Sequence, residues 1–256
     1  MDKIILKLHT TNQKRKIAYK KIEGDLTHRP GVLFLGGLAS DMEGTKANYL
    51  AQWCKSNKNS FLRFDYSGHG KSDGIFTDGS ILSWFEDALA VLDDLTNGKQ
   101  ILIGSSMGGW IALLLAKNRP HRIHSIIGVA AAPDFTEDLI WSSLNPSQKK
   151  HIKKVGYLDI KNTYEDQSPY RITYNLINEA RNHLILGAPI LIEVPVYLIH
   201  GEKDEDVPFM TSLTLAKCLK SEKVHVHLIK SADHRLSREV DLEVLSRAIK
   251  LFLDLY

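Results

Sequence analysis

Cysteine is scarce in this chain: 256 residues hold only Cys54 and Cys218. Two cysteines build no disulfide framework and lack the spacing of a zinc site, so a reducing compartment is the default expectation. Charge of one sign is lacking too, because 33 basic residues against 30 acidic leave +3. Nucleic-acid binding calls for a clustered basic footprint. The stretch Lys14-Arg15-Lys16 with Lys20-Lys21 reads instead as the solvated face of a hairpin. No run is long and apolar enough to span a bilayer, which argues against integral membrane association. The chain opens with strand-like alternation and shows neither a secretory signal nor a transit peptide, so a soluble, cytoplasmic protein is expected.

Three ligand-binding patterns are also incomplete. Gly70-Lys71-Ser72 looks like the end of a P-loop, but position 65, where that pattern needs glycine, is Asp65. Gly104, Gly108 and Gly109 do not have dinucleotide-loop spacing. His225 and His227 share a strand face without a third ligand and read as packing or surface residues. Neither a metal nor an organic cofactor is therefore expected. There are no repeats and no low-complexity tracts.

What is present suits one large domain with a full core: 43% of the residues are apolar. Residues 3–9 and 15–22 read as an opening hairpin. Short apolar runs then alternate with helical patterns. Strands are predicted at 32–35, 60–64, 100–103, 123–129, 196–199 and 224–229, and helices near 43–55, 80–95, 110–116, 209–220 and 239–255. This alternation implies an α/β fold, a mainly parallel sheet covered by helices on both faces. Ligands on such sheets sit beyond the carboxyl ends of the strands. Residues 134–190 break the rhythm. Two helices, near 136–154 and 171–186, are expected there with no strand between them, as a small helical lid or simply as packed surface helices.

The most informative phrase is Gly104-Ser105-Ser106-Met107-Gly108, between a strand and a strong helical run. In isolation it could be an ordinary small-residue turn. Between a strand and a helix, Gly-x-Ser-x-Gly is the nucleophile elbow of α/β-hydrolases, with Ser106 lifted from the sheet edge and the Met107 N–H at a helix N-terminus. A serine hydroxyl needs a base, and the base needs an orienting acid. In this fold they follow in the order Ser, Asp or Glu, His. The base candidate is His234, the one of 11 histidines that falls after the final strand and before the final helix. The acid candidate is Asp204, three residues past Gly201. Asp206 is its rival and otherwise reads as a helix N-cap. For the oxyanion, the loop Gly36-Gly37-Leu38-Ala39-Ser40 supplies the Leu38 N–H beside that of Met107.

Taken together, Leu35-Gly36-Gly37-Leu38-Ala39-Ser40-Asp41-Met42-Glu43-Gly44-Thr45-Lys46-Ala47, Arg63 to Gly74, the serine phrase, His200-Gly201-x-x-Asp204-x-x-Val207-Pro208 and Ser231-x-Asp233-His234-Arg235 resemble one branch of the α/β-hydrolases. That branch is the family of the mitochondrial palmitoyl-protein thioesterase, also known as an acyl-glucuronide esterase, and its bacterial relatives. The resemblance runs from about residue 31 to the C-terminus. It implies a triad of Ser106, Asp204 and His234 acting on S-acyl cysteine thioesters and activated acyl esters. One departure is Gly36-Gly37, where the animal enzyme has Pro-Gly. The substrate expected is a small molecule or an S-acylated protein, with no nucleic-acid partner and with oligomeric state left open. The alternatives are a general carboxylesterase for small esters or acyl-glucuronides, and an acyl-binding module without catalysis. A lid tunnel from Phe135, Leu139, Trp141 and Leu184 would favour long acyl chains.

Overall fold

The computed structural model describes residues 6–25, 29–160 and 169–255. An eight-stranded sheet runs through it. Its first strands are β1 (Leu6–Thr10), β2 (Lys16–Ile22), β3 (Gly31–Leu35) and β4 (Phe61–Phe64). They are followed by β5 (Gln100–Ser105) and β6 (Ile123–Val129). Strands β7 (Tyr157–Ile160) and β8 (Tyr170–Thr173) form a separate two-stranded hairpin, and β9 (Val196–Gly201) and β10 (Val224–Ile229) complete the main sheet. The spatial order is β1-β2-β4-β3-β5-β6-β9-β10. Pairing is antiparallel from β1 to β2 and from β2 to β4, and parallel from β4 through β10. The opening hairpin is as expected from residue 6 onward; residues 3–5 of that prediction lie outside the described residues.

The helices of the scaffold are α1 (Thr45–Ser56), α2 (Ile81–Leu95) and α3 (Met107–Asn118). Next come α4 (Pro146–Val155) and α5 (Tyr174–Ala180), then α6 (Met210–Cys218) and α7 (Glu239–Leu255). Side chains alternate across each strand, so the sheet feeds two cores. Leu33, Leu35 and Leu102 pack with Trp84 of α2 and Trp110 of α3 on one face. Val32, Phe34, Ile101 and Ile103 pack with Leu50 of α1 and Phe252 of α7 on the other. Both faces are dry, which is why the central strands read as unbroken apolar runs. Each fully buried Leu or Ile there contributes about 2 kcal/mol.

The segment between β6 and β9 differs from expectation. A π-helical turn at Thr136–Trp141 and the Asn145-capped α4 come first. Gly156, at φ 94, then ends α4 in the left-handed region. The chain enters the β7–β8 hairpin, with Leu158 opposite Ile172, where no strand was expected. The cause is an ambiguous period: Ile172, Leu176 and Ile177 fit one helical face, yet Tyr170-Arg171-Ile172-Thr173 also alternates like a strand. Only Tyr174–Ala180 is α-helical, with a short 3-10 turn at Arg181–His183. The two ends of the segment are tied by Asp134, whose carboxylate accepts from the N–H groups of Ile185 (2.9 Å) and Leu186 (2.7 Å).

The turn from β5 into α3 is the tightest point of the scaffold. A Cβ on Gly108 would lie 2.1 Å from the Leu35 carbonyl oxygen, and one on Gly104 would lie 2.4 Å from that of Gly108. Both contacts are with backbone and have no room to give. Gly108→Ala is expected to lower the melting temperature by more than 10 °C or to prevent folding, with a cost of about 3 kcal/mol or more. A thermal melt followed by circular dichroism checks this, and an unchanged melt would refute it.

Candidate active site

Ser106 occupies the corner between β5 and α3 with φ 53 and ψ −119, in the positive-φ region that side chains avoid. Backbone hydrogen bonds hold it there. Its N–H donates to Val129 O (3.0 Å), and its carbonyl accepts from Gly109 (2.9 Å) and Ala132 (3.1 Å). Met107 is the first residue of α3, so its N–H has no partner inside the helix. The loop after β3 brings Gly37 and Leu38 beside this corner. The Leu38 N–H donates to no described residue, and the next residue, Ala39, has φ 55.

That loop is held from below. The Ala39 N–H donates to Nε2 of buried His69 (3.1 Å), and His69 Nδ1 lies 3.2 Å from the Ser67 carbonyl. A carbonyl only accepts, so the hydrogen sits on Nδ1 and Nε2 is free to accept. Burial pushes the His69 imidazole below its ordinary range and keeps it neutral. The Gly70-Lys71-Ser72 stretch wraps Asp65 instead of a phosphate: Lys71 N–H donates to its carboxylate (2.9 Å) and Ser72 Oγ–H to its carbonyl (2.6 Å). His225 and His227 pack against Tyr197, one stacked on its ring and the other 3.1 Å from its hydroxyl.

Asp204 and His234 meet on the loops after β9 and β10. His234 Nδ1 lies 2.8 Å from Asp204 Oδ2, whose side chain is fully buried. An ionised carboxylate only accepts, so Nδ1 carries the hydrogen and Nε2 keeps its lone pair. Asp204 Oδ1 accepts from the N–H groups of Asp206 (3.0 Å) and Val207 (2.8 Å). Burial alone would raise this carboxyl. Hydrogen bonds from His200 and His234, the charge of His234 and the Val207 N–H outweigh it, and Asp204 sits well below the usual carboxylate range. Asp206 is not a helix N-cap, because α6 begins at Met210 with Phe209 before it. Ligand atoms of Asp204, Asp206 and His234 lie within 4.8 Å of one another, as a metal site would require. The Asp204 oxygens, however, are already engaged by four N–H donors, which leaves no lone pair for an ion.

Sequence reasoning missed the fourth of these donors, His200, the next-to-last residue of β9. It is fully buried. Its Nε2 lies 2.9 Å from the Val207 carbonyl and 3.1 Å from Asp204 Oδ2, while Nδ1 lies 2.7 Å from Ser212 Oγ. Both groups facing Nε2 are acceptors, so Nε2 donates and Nδ1 accepts from the serine hydroxyl. The hints in the sequence are a polar residue closing an apolar strand and its place at the head of the His200-Gly201-x-x-Asp204 phrase. Lys46 was also missed. It lines the cavity, its ammonium donates to the Arg235 carbonyl, and burial lowers it to about 8 against the opposing pull of Asp233.

Ser106, His234, Leu38 and Met107 line one cavity of about 510 Å³. Asp204 lies behind His234, outside the lining. The chain from Ala132 to Tyr170 gives it an apolar wall of Ala132, Phe135, Leu139, Ile140 and Tyr170; elsewhere the lining mixes apolar Phe34, Ala39, Ala47 and Val207 with polar Ser40, Asp41, Thr45, Lys46, Asp206, Arg235 and Ser237. Phe135 and Leu139 are where the tunnel reading put them. Trp141 and Leu184 are not among the lining residues, and Ile140 and Tyr170 stand in their stead.

A sheet in this order, sheathed by helices on both faces and carrying the serine corner at its carboxyl edge, defines a hydrolytic enzyme of the α/β-hydrolase class. Within that class, a family profile described as "Serine aminopeptidase, S33" matches residues 27–168, and the chain belongs to this family. It is 39% identical over 238 residues to the human palmitoyl-protein thioesterase ABHD10, mitochondrial, covering 93% of this chain and 76% of that protein. Mouse alpha/beta hydrolase domain-containing protein 10 superposes with a TM-score of 0.90 at 37% identity, over 98% of each chain. A crystal structure from Agrobacterium vitis S4 superposes with a TM-score of 0.94 at 36% identity, over 99% of this chain and 100% of that one. Among the described residues no helix is long and apolar enough to cross a membrane.

Two predictions follow from the acid's surroundings. Asp204→Asn is expected to lower kcat by about 10⁴-fold and Asp206→Asn by less than tenfold. Steady-state kinetics on one ester decides, and the reverse ranking would transfer the role to Asp206. His200→Phe removes one of the two N–H groups on Oδ2 and loosens the carboxylate that orients the His234 ring, so kcat is expected to drop by about 10–100-fold with KM unchanged. His200→Gln, whose amide can still donate, should restore kcat. A glutamine variant as slow as the phenylalanine one would make His200 a packing residue only.

Proposed function

We propose that this protein is a serine hydrolase that works through an acyl-enzyme, with Ser106 as nucleophile, His234 as base and Asp204 as its orienting acid. The observation that carries the reading is a shared cavity: Ser106 and His234 both line it, and the buried Asp204 fixes the His234 tautomer from 2.8 Å behind. His234 Nε2 takes the Ser106 proton as Oγ attacks the acyl carbonyl. The N–H groups of Leu38 and Met107 hold the oxyanion. Protonation of the leaving group by His234 releases it, and the same imidazole then activates water to free the acid. The scheme needs no metal or organic cofactor.

The substrate we propose is an acyl thioester, with S-palmitoylated protein foremost. The relatives named palmitoyl-protein thioesterase and the apolar wall from Phe135 to Tyr170 support this choice. We read residues 1–256 as one α/β-hydrolase domain with residues 134–190 as its lid; residues 161–168 of that lid lie outside the described ones. The polar lining at Ser40, Thr45, Lys46 and Ser237 favours a second reading, a carboxylesterase for small polar esters or acyl-glucuronides. The location printed for the relatives belongs to those proteins. For this chain we retain the cytoplasm, which fractionation of its native cell tests.

Labelling with a fluorophosphonate probe, run beside turnover of a palmitoyl thioester and of p-nitrophenyl acetate, tests both readings. Wild type should be labelled and should favour the thioester. Ser106→Ala should lose the label and drop turnover by about 10⁴-fold or more with its circular dichroism unchanged. Turnover of the short ester alone would select the carboxylesterase. An unlabelled, folded wild type would mean a binding protein on a hydrolase fold.

A further inference from the structure

The outer surface of the segment between β6 and β9 carries a feature that the acyl-transfer scheme does not use. Helix α4 reads Pro-Ser-Gln-Lys-Lys-His-Ile-Lys-Lys-Val and contains no acidic residue. At 100° per residue, Lys149, Lys150, Lys153 and Lys154 fall within one sector, while Ile152 on the other side is buried. Lys150, Lys153 and Lys154 are exposed and Lys149 is half-buried. None of the four forms an ion pair with a described residue. The contrast with α2 is direct: its outer face carries Glu86, Asp93 and Asp94, which meet Arg15, Arg119 and His9.

The basic sector converges on the half-buried ring of Trp141. Lys149 and Lys153 lie 5.2 and 5.4 Å from its centroid, and the guanidinium of Arg181, itself ion-paired with Glu137, lies 4.9 Å from it. Trp141 directly follows Leu139 and Ile140, which line the cavity. The turn Thr136–Trp141 therefore carries both cavity-lining residues and the ring under the lysines; of its two acids, Glu137 is taken up by Arg181. Lysines without a carboxylate partner, two of them over an indole, suit an interface between water and anionic lipid headgroups, where amphipathic rings reside and cations meet phosphate.

We propose that α4 and Trp141 dock the protein on an anionic phospholipid surface, with the cavity's apolar wall next to the bilayer. Why such docking is useful rests on the reading of that wall as an acyl-chain site; the docking itself does not. Docking there would bring the cavity-lining turn at Leu139 and Ile140 close to a surface that carries lipid-anchored acyl chains. The attraction comes from charge and is weakened by salt.

The test is co-sedimentation with phosphatidylcholine vesicles, with and without phosphatidylglycerol, at low and high salt and without substrate. Binding to the anionic vesicles alone, reversed by salt, is expected. The variant with Lys149, Lys150, Lys153 and Lys154 all changed to Gln should bind on the order of a hundredfold more weakly and hydrolyse p-nitrophenyl acetate at the wild-type rate. Should that variant fail to fold, the exposed pair Lys150→Gln and Lys154→Gln gives the same reading with a smaller loss. Equal binding to both vesicle types, or an undiminished lysine variant, would overturn the proposal. Binding to polyglutamate but not to vesicles would overturn it in favour of an acidic protein partner. Vesicle binding without thioester turnover would leave the docking standing and remove the thioesterase reading.

Discussion

The sheet must become a helix within a single residue at Ser106, and the site depends on that corner. Its positive φ is unfavourable for a serine. The surrounding structure over-determines it: Val129 takes its N–H, Gly109 and Ala132 take up its carbonyl, and Gly104 and Gly108 leave the backbone room to close. The close approach that excludes a Cβ at Gly108 also presses the Leu35–Gly36 backbone onto the start of α3. The loop carrying Leu38 is thereby delivered beside Ser106. One packing contact thus sets both the serine's position and the proposed oxyanion donors, without any side chain having to find its own place.

Buried imidazoles then fix the polar groups around the corner. His69 is neutral and bridges the Ser67 carbonyl and the Ala39 N–H, so it braces the loop after β3. His200 bridges Ser212 to Val207 and Asp204, so it braces the Asp204 carboxylate. His234 alone keeps partial exposure, 18% of its side chain, and keeps Nε2 available. The three differ in what faces each ring nitrogen. A fully buried imidazole between a carbonyl and a hydroxyl has its tautomer set by its neighbours. The one at the cavity edge has a carboxylate on Nδ1 alone, which is what the role proposed for it requires.

Much of this was legible in the chain. The strands β3, β5, β6 and β9 are buried on both faces, so each appears as a compact apolar run that periodicity can find. Ser106 and His234 carry local signatures, a turn pattern and a place after the last strand. His200 opens the phrase that carries Asp204, but the phrase does not say what it does. Its role comes from burial and from a partner twelve residues on, Ser212, and neither is written in its neighbourhood. The N-cap reading of Asp206 failed because a loop through Val207 and Pro208 delays α6 to Met210. The β7–β8 hairpin was hidden because four-residue strands are too short to separate a period of 2 from one of 3.6.

The cavity is divided between two sources. Loops at the carboxyl edge of the sheet bring Leu38, Ser106 and His234 to it, and the segment between β6 and β9 supplies the apolar wall. The segment is also anchored to the scaffold. Trp110, in the first turn of α3, donates from its indole to the His183 carbonyl (3.1 Å) and meets the Phe135 ring edge-on at 5.9 Å. Asp134 clasps the far end of the segment through Ile185 and Leu186, and Glu179 accepts the Leu82 N–H at the start of α2 (3.1 Å). The hydrogen-bonded and ring anchors use Asp134, Glu179, Phe135 and His183, whereas Leu139, Ile140 and Tyr170 line the cavity and pack against the apolar core. The corner at Ser106 is held by backbone groups of Val129, Gly109 and Ala132, so a change of side chain at those three positions leaves its hydrogen bonds in place.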